Sequence, residues 1–132
     1  MRQSWIGDHT LFDRNPSPSM KYAPVDPRLF VENRARLAAQ LKPGSLAVLH
    51  SADIPWRCAD GSMKFIQNSD LFYLTGVDQE ESVLVLWPDA PDPEKREMLF
   101  VRETSEMIAI WEGEKLTKEA ATAVSGIAHV HW

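Results

Sequence analysis

Residues 65–76, FIQNSDLFYLTG, contain the most informative arrangement of side chains in this 132-residue chain. Asn68 or Ser69 can cap a short helix, because a side-chain oxygen at that position accepts a hydrogen bond from a free backbone N–H of the first turn. Gly76 follows, and glycine adopts a left-handed backbone at little steric cost. The stretch therefore predicts a loop, a capped helical turn and a tight reversal that lead into the apolar strand over residues 82–87.

Upstream of this stretch, one amphipathic helix is predicted. Asp26 is a good N-cap and Pro27 suits the first helical position. The helix should end at residues 42–44, Lys-Pro-Gly, because proline cannot continue the hydrogen-bond ladder. Residues 46–49 are apolar without alternation, which is typical of a strand covered on both faces. One stripe of the helix is formed by residues at helical spacing: Phe30, Arg34, Leu37 and Leu41.

Downstream, strands and helices alternate. Residues 51–67 are too rich in polar residues, Gly and Pro for a regular element, and we expect a long loop there. The later elements are predicted as strands over residues 82–87, 98–101 and 127–132, and as helices over residues 105–111 and from Thr117 to residue 124. This order predicts an α/β fold, with a mainly parallel or mixed sheet and helices on both faces.

Composition restricts the class of protein. The 44% hydrophobic content supports a folded core, and the net charge of -5 argues against nucleic-acid or anionic-membrane partners, which need clustered Lys and Arg. No apolar run approaches the roughly 20 residues that span a bilayer. The lone cysteine, Cys58, cannot form an internal disulfide. These features predict a cytoplasmic protein.

The first 19 residues differ from the rest, because residues 13–19 are polar and proline-rich. We interpret residues 1–19 as an N-terminal extension, either native or foreign to the protein, and residues 20–132 as one domain.

Few residues form a pattern typical of catalysis or metal binding. His129 and His131 would share one strand face, but a zinc site needs further ligands and no spacing identifies them. Cys58 has no base paired with it in the local sequence, so a loop cysteine is the favoured interpretation. Three carboxylates could act in acid–base chemistry, although a solvated turn before a strand explains them better: Asp78, Glu80 and Glu81.

The aromatic residues allow two interpretations. Five of them are enough to build a core, and most of the five are assigned to it: Phe65, Phe72, Tyr73, Trp87 and Trp111. Trp111 differs from the others, because it lies at the end of a short predicted helix between charged stretches. Its indole can therefore belong to the core or form a flat apolar recognition surface.

Several segments together resemble the N-terminal domain of the Xaa-Pro aminopeptidases (aminopeptidase P), in the creatinase/prolidase superfamily. The resemblance covers about residues 22–132, and prolidases carry a related domain with a looser version of it. The segments are residues 32–37 (ENRARL), 41–45 (LKPGS), 67–76 (QNSDLFYLTG), 83–86 (VLVL), 99–102 (LFVR), 110–113 (IWEG) and 119–121 (EAA).

The resemblance implies a three-layer α/β/α domain with a mixed sheet, of the ribonuclease H-like kind. In the full enzymes a pita-bread catalytic domain follows and binds two divalent metals, usually manganese. The enzyme removes the N-terminal residue from peptides with proline at position two, and the N-terminal domain contributes to oligomer assembly and to the substrate entrance. The tryptophan that matches Trp111 faces the active site, which favours a substrate-binding role for Trp111.

The sequence departs from the family by stopping at Trp132, so we expect a domain incomplete at its C-terminus. The catalytic and metal-binding residues of the family have no counterpart here, and none is assigned. We therefore expect that this chain alone is inactive, with its own catalytic domain, homo-oligomer neighbours and the Xaa-Pro peptide as partners. The alternatives are a stand-alone peptide- or protein-binding module on the same scaffold, or the N-terminal domain of a prolidase.

Overall fold

Helix α1 is the first element of the computed structural model, which describes residues 23–59 and 61–132. The predicted extension over residues 1–19, and His9 within it, lie outside the described residues. Asp26 caps α1 by accepting a hydrogen bond from the Arg28 N–H, with Pro27 at the first helical position, as predicted. The helix ends at Ala38, several residues before the predicted stop.

The remaining elements follow the predicted order closely. The loop predicted over residues 51–67 also contains a small irregular hairpin, formed by β2 (Trp56–Cys58) and β3 (Gly61–Ser62). Asn68 is the N-cap of α2, so the first of the two proposed caps is correct. The strands are β1 (Ala47–His50), β2 (Trp56–Cys58), β3 (Gly61–Ser62), β4 (Val83–Leu86), β5 (Glu97–Phe100) and β6 (Val130–His131), and the helices are α1 (Pro27–Ala38), α2 (Ser69–Thr75), α3 (Glu106–Glu112) and α4 (Lys118–Ser125), with a 3₁₀ turn at Pro93–Lys95.

The main sheet has the order β1-β4-β5-β6. The pairs β1–β4 and β4–β5 are antiparallel, and only β5–β6 is parallel. The α/β class with a mixed sheet is confirmed, whereas the mainly parallel version is wrong. Connection length explains the difference: residues 87–96 form a short return between β4 and β5, while the β5–β6 crossover contains two helices, as a parallel pair requires.

One face of this sheet carries the core. The helices with buried residues are α1, α2 and α4, and the buried cluster includes side chains from α2, α4 and the inner sheet face. Helix α3, by contrast, has no buried residue. The core consists of aliphatic side chains: Leu71, Leu74, Val77, Leu84, Leu86, Leu99, Val101, Ala121, Ile127 and Val130.

The outer face of the sheet corrects two expectations. Val48 of β1 is 55% exposed, so β1 is not covered on both faces as its continuous apolar sequence indicated. None of the five aromatic residues proposed for the core is fully buried, because the inner positions of β4 and β5 hold leucines instead. Side chains in register across the outer face are Val48, Val85 and Met98 in one row and His50, Val83, Phe100 and His131 in the next.

Arg34 is fully buried in the stripe of α1 that the sequence marks as apolar. Its Nη1 donates to the carbonyls of Leu74 (2.8 Å) and Ser125 (2.9 Å), and its Nε donates to Glu97 Oε2 (3.1 Å). Both carbonyls lie in the last turns of helices, where backbone oxygens lack helical partners and positive charge is favourable. Arg34 therefore joins α1 to the ends of α2 and α4 and to β5.

Gly76 ends α2 in the left-handed conformation, with φ of +69°. A Cβ at this position would overlap the ring of Phe30, which is buried in α1 and packs edge-on against Phe72. The glycine is thus required both by its backbone angle and by the close approach of α1.

Among the described residues, none of the helices has the length and apolar character that a membrane span needs.

We expect Gly76→Ala to lower the free energy of unfolding by about 3 kcal/mol, because it adds left-handed strain to a clash with a core ring. Gly44→Ala is the matched control: φ is +75° there, but no atom lies within 4 Å of the added Cβ, so about 1 kcal/mol is expected. Urea denaturation of both variants measures the difference. Equal losses would show that Phe30 does not restrict position 76.

We expect Arg34→Met to lower the free energy of unfolding by about 3 kcal/mol, because two helix-terminal carbonyls and Glu97 lose their donor. The control is Arg36→Met on the same helix, whose guanidinium is exposed and pairs with Glu32 at 3.7 Å. Its cost should stay below about 0.5 kcal/mol. Urea denaturation compares the two, and similar values would contradict the role given to Arg34.

Candidate functional site

Helix α3 presents the most exposed apolar side chains of the helical segments. Ser105 caps the helix by accepting from the Ile108 N–H (3.3 Å), and no residue of α3 is buried. Trp111 is 83% exposed, which excludes the interpretation as a core residue. Met107 and Ile110 are also exposed and lie on the same side of the helix. We call Met107, Ile110 and Trp111 the α3 ridge.

The C-terminal end of α3 is held by a two-point ion pair. Arg102, just after β5, contacts the Glu112 carboxylate with Nη1 at 2.7 Å from Oε2 and Nη2 at 3.0 Å from Oε1. Such a fork-shaped pairing fixes orientation as well as distance. Trp111 is the residue before Glu112, so its backbone position is fixed by this contact.

Glu80 belongs to a charged cluster formed by Glu80, Glu81, Arg102, Glu112 and Lys115, in which Arg102 contacts all three carboxylates. Its carboxylate contacts Lys115 Nζ directly and lies 3.8 Å from Arg102 Nη1. Beside it, Gln79 Oε1 accepts from the Leu116 N–H (2.7 Å). The solvated turn predicted for the acidic residues is therefore wrong for Glu80, which is buried, and holds for Glu81, which is exposed.

Gln67 organises the loop that carries Glu80. Its Nε2 donates to the carbonyls of Val77 (3.0 Å) and Gln79 (2.8 Å). Its Oε1 accepts from the N–H groups of Ala52 (3.1 Å) and Asn68 (2.8 Å). Four backbone groups from three chain segments thus depend on one amide side chain, which gives a physical reason for glutamine at this point of the stretch.

The sequence did not reveal this cluster. Arg102 and Lys115 are 22 and 35 positions from Glu80, and a contact at that separation leaves no local spacing to recognise. The one available signal is Gln67, a half-buried loop amide inside the characteristic stretch.

The pKa of the Glu80 carboxyl reflects opposing influences. Burial acts to raise it, but the hydrogen bond from Lys115 and the charges of Lys115 and Arg102 hold the pKa below its usual value of 4.5. The carboxylate is therefore ionised at neutral pH, where it balances the two cations.

The other candidate residues do not come together with this cluster. Cys58 is exposed on β2, and His131 packs against Phe100 on the outer face of the sheet, with ring centroids 5.3 Å apart. His129 and His131 line one shallow cavity, but no group of three His, Cys, Asp or Glu side chains in the described part of the chain is arranged to hold a metal ion. These residues do not fit a two-metal centre, so no step of metal chemistry is assigned to them.

Acid should weaken the domain through Glu80. Because its pKa is lowered in the folded protein, its stabilising contribution is complete above the unfolded value near 4.5 and is lost as pH falls through the lower folded value. Glu80→Gln should flatten the decline in unfolding free energy below pH 4.5, while Glu81→Gln should leave it nearly as in the parent chain. Urea titrations at pH 3 to 7 measure this, and parallel curves for all three proteins would contradict it.

Comparisons with known proteins agree with this architecture. The family model described as "Aminopeptidase P, N-terminal domain" matches residues 30–132. The Xaa-Pro aminopeptidase of Escherichia coli is 36% identical over 98 residues, which are 74% of this chain and 22% of that protein. Xaa-Pro aminopeptidase 3 of Dictyostelium discoideum is 32% identical over 98 residues, 74% of this chain and 19% of its own length.

Solved structures give the same result. A low-pH form of E. coli aminopeptidase P superposes with a TM-score of 0.72 and 32% identity, over 83% of this chain and 24% of that one. A Bacillus anthracis structure described as an aminopeptidase P has a TM-score of 0.72 and 27% identity, over 82% and 25% of the two chains. This chain thus spans about a fifth to a quarter of the length of these relatives. It belongs to the family of the aminopeptidase P N-terminal domain.

Proposed function

We propose that this chain is the non-catalytic N-terminal domain of a manganese-dependent Xaa-Pro aminopeptidase, and that it contributes to the substrate entrance and to oligomer assembly. The parent enzyme would remove the N-terminal residue from peptides with proline at position two, in the cytoplasm. Catalysis and metal binding would belong to the catalytic domain, because the described residues offer no set of ligands for a metal.

The observation that supports an entrance role is the exposure of Trp111. A large apolar side chain that is 83% exposed loses favourable burial unless a partner covers it. An indole offers a flat apolar face and one N–H donor, which suits packing against a pyrrolidine ring of a peptide. The Arg102–Glu112 pair holds this surface in place without covering it.

The outer face of the sheet supports the assembly role. Val48 is exposed there, and its neighbours across the sheet, Val85 and Met98, are only partly covered. A row of apolar side chains on a sheet face is a suitable surface for the catalytic domain or a neighbouring subunit. This surface and the α3 ridge would then serve different contacts.

The alternative of a stand-alone binding module rests on the same α3 ridge. In that case the ridge would bind a peptide or protein without any hydrolysis nearby. The two functions differ in whether Trp111 affects turnover.

A chimera tests the entrance role. The region of E. coli Xaa-Pro aminopeptidase that matches this chain would be replaced by the corresponding residues of the chain, and hydrolysis of an Xaa-Pro peptide measured with manganese. Trp111→Ala should lower kcat/KM at least about tenfold, the order of loss for one buried aromatic contact. The matched control is Trp56→Ala, which removes an indole that is 78% exposed on β2.

The control variant should keep the kcat/KM of the unmodified chimera. Equal activity of the two variants would refute the entrance role of Trp111 and favour the binding module. A loss confined to KM would mean that Trp111 binds substrate and transition state equally well.

A further inference from the structure

The segment that contains α3 is attached to the domain at both of its ends by one buried carboxylate. Arg102 precedes the segment and Lys115 follows it, and both contact the Glu80 carboxylate. The Leu116 N–H adds a second attachment at the following end, through Gln79 Oε1. Residues 103–114 therefore begin and end at the same side chain.

Apolar packing contributes little to the position of this segment. No residue of α3 is buried, its three ridge side chains are exposed, and Ile108 and Ala109 are only half-buried. A seven-residue helix is also too short to be stable alone in water. Its location therefore depends strongly on the polar contacts at its ends, which include the Arg102–Glu112 pair.

The position of Glu80 is fixed independently of α3. Gln67 holds the carbonyls on either side of the loop, and Ser82 Oγ donates to the carbonyls of Gln79 (3.1 Å) and Glu80 (3.3 Å). Glu81 has a φ of +53°, a left-handed angle that turns the chain between the buried Glu80 and the buried Ser82. The Glu80 carboxylate therefore has a fixed position, to which both ends of the segment over residues 103–114 are attached.

We propose that Glu80 is a positioning residue that fixes the direction in which Trp111 points, by holding Arg102 and Lys115 at the two ends of α3. It acts through these cations and touches neither substrate nor metal. The consequence for turnover rests on the entrance role proposed above, whereas the mechanical role does not.

Backbone and indole ¹⁵N relaxation of the 132-residue chain tests this proposal. The variants are Glu80→Gln and the control Glu81→Gln, which makes the same change at the neighbouring, exposed carboxylate that also lies near Arg102 (3.6 Å). In the parent chain and the control, order parameters of residues 106–112 should lie near those of α1, about 0.85. In Glu80→Gln they should fall below about 0.6, together with that of the Trp111 indole.

Residues of α1, α4 and β4 report whether the change is local. Their order parameters should be the same in all three proteins. The proposal is overturned if α3 in Glu80→Gln stays as rigid as in the control, or if α1 and β4 loosen to the same extent as α3.

A second variant removes the risk that an unpaired, half-buried Lys115 unfolds the chain. Glu80→Gln combined with Lys115→Gln leaves no buried charge uncompensated, and α3 should again be mobile in a rigid domain. Rigid α3 in this double variant overturns the proposal, and so does global unfolding of both variants, because Glu80 would then support the whole domain. These results do not depend on the chimera. A failure of the entrance role of Trp111 is therefore distinguishable from a failure of the positioning role of Glu80.

Discussion

The helical layer depends on a single buried guanidinium. Arg34 supplies donors to the ends of two helices and to a carboxylate on β5, so three helices and the sheet meet at one side chain. Burial lowers the pKa of Arg34 while Glu97 raises it, and a guanidinium stays protonated throughout the range in which proteins fold. Helices as short as α2 and α4 gain stability mainly from such tertiary contacts, which explains how they persist at seven and eight residues.

A second set of polar contacts connects the scaffold to the exposed surface. Gln67 fixes the loop of Gln79 and Glu80, and Glu80 in turn contacts the two cations that flank α3. The loop thus positions the two cations, the cations position α3, and α3 positions Trp111. Buried charges are costly unless paired, which is why Glu80 and Lys115 occur together. Aliphatic packing and the contacts of Arg34 therefore hold the scaffold, whereas ion pairs hold the segment that carries the α3 ridge.

Local chemistry was readable from the sequence, and long-range pairing was not. The caps Asp26, Asn68, Ser105 and Thr117 and the glycines that end α2, α3 and α4 act within four residues, so their positions predict the helices well. Strand direction was predicted less well, because apolar runs such as β1 do not show which partner they pair with or whether a second face is covered. The sequence did not decide whether Trp111 is buried or exposed, because an indole is suited both to a core and to a surface. Arg34 lies on the buried stripe that its spacing indicates, but its partners are 40 to 91 positions away and could not be predicted. The burial of Glu80 was missed for the same reason, because its partners are 22 and 35 positions away.

The contacts at Arg102 and Lys115 determine which part of this chain can accept insertions. Both of its anchors bind the same carboxylate, and no residue of α3 contributes to the core. Closing a loop of greater length between fixed ends costs little additional entropy. Residues 103–114 can therefore change in length at little cost to the sheet and to the helices that pack on it.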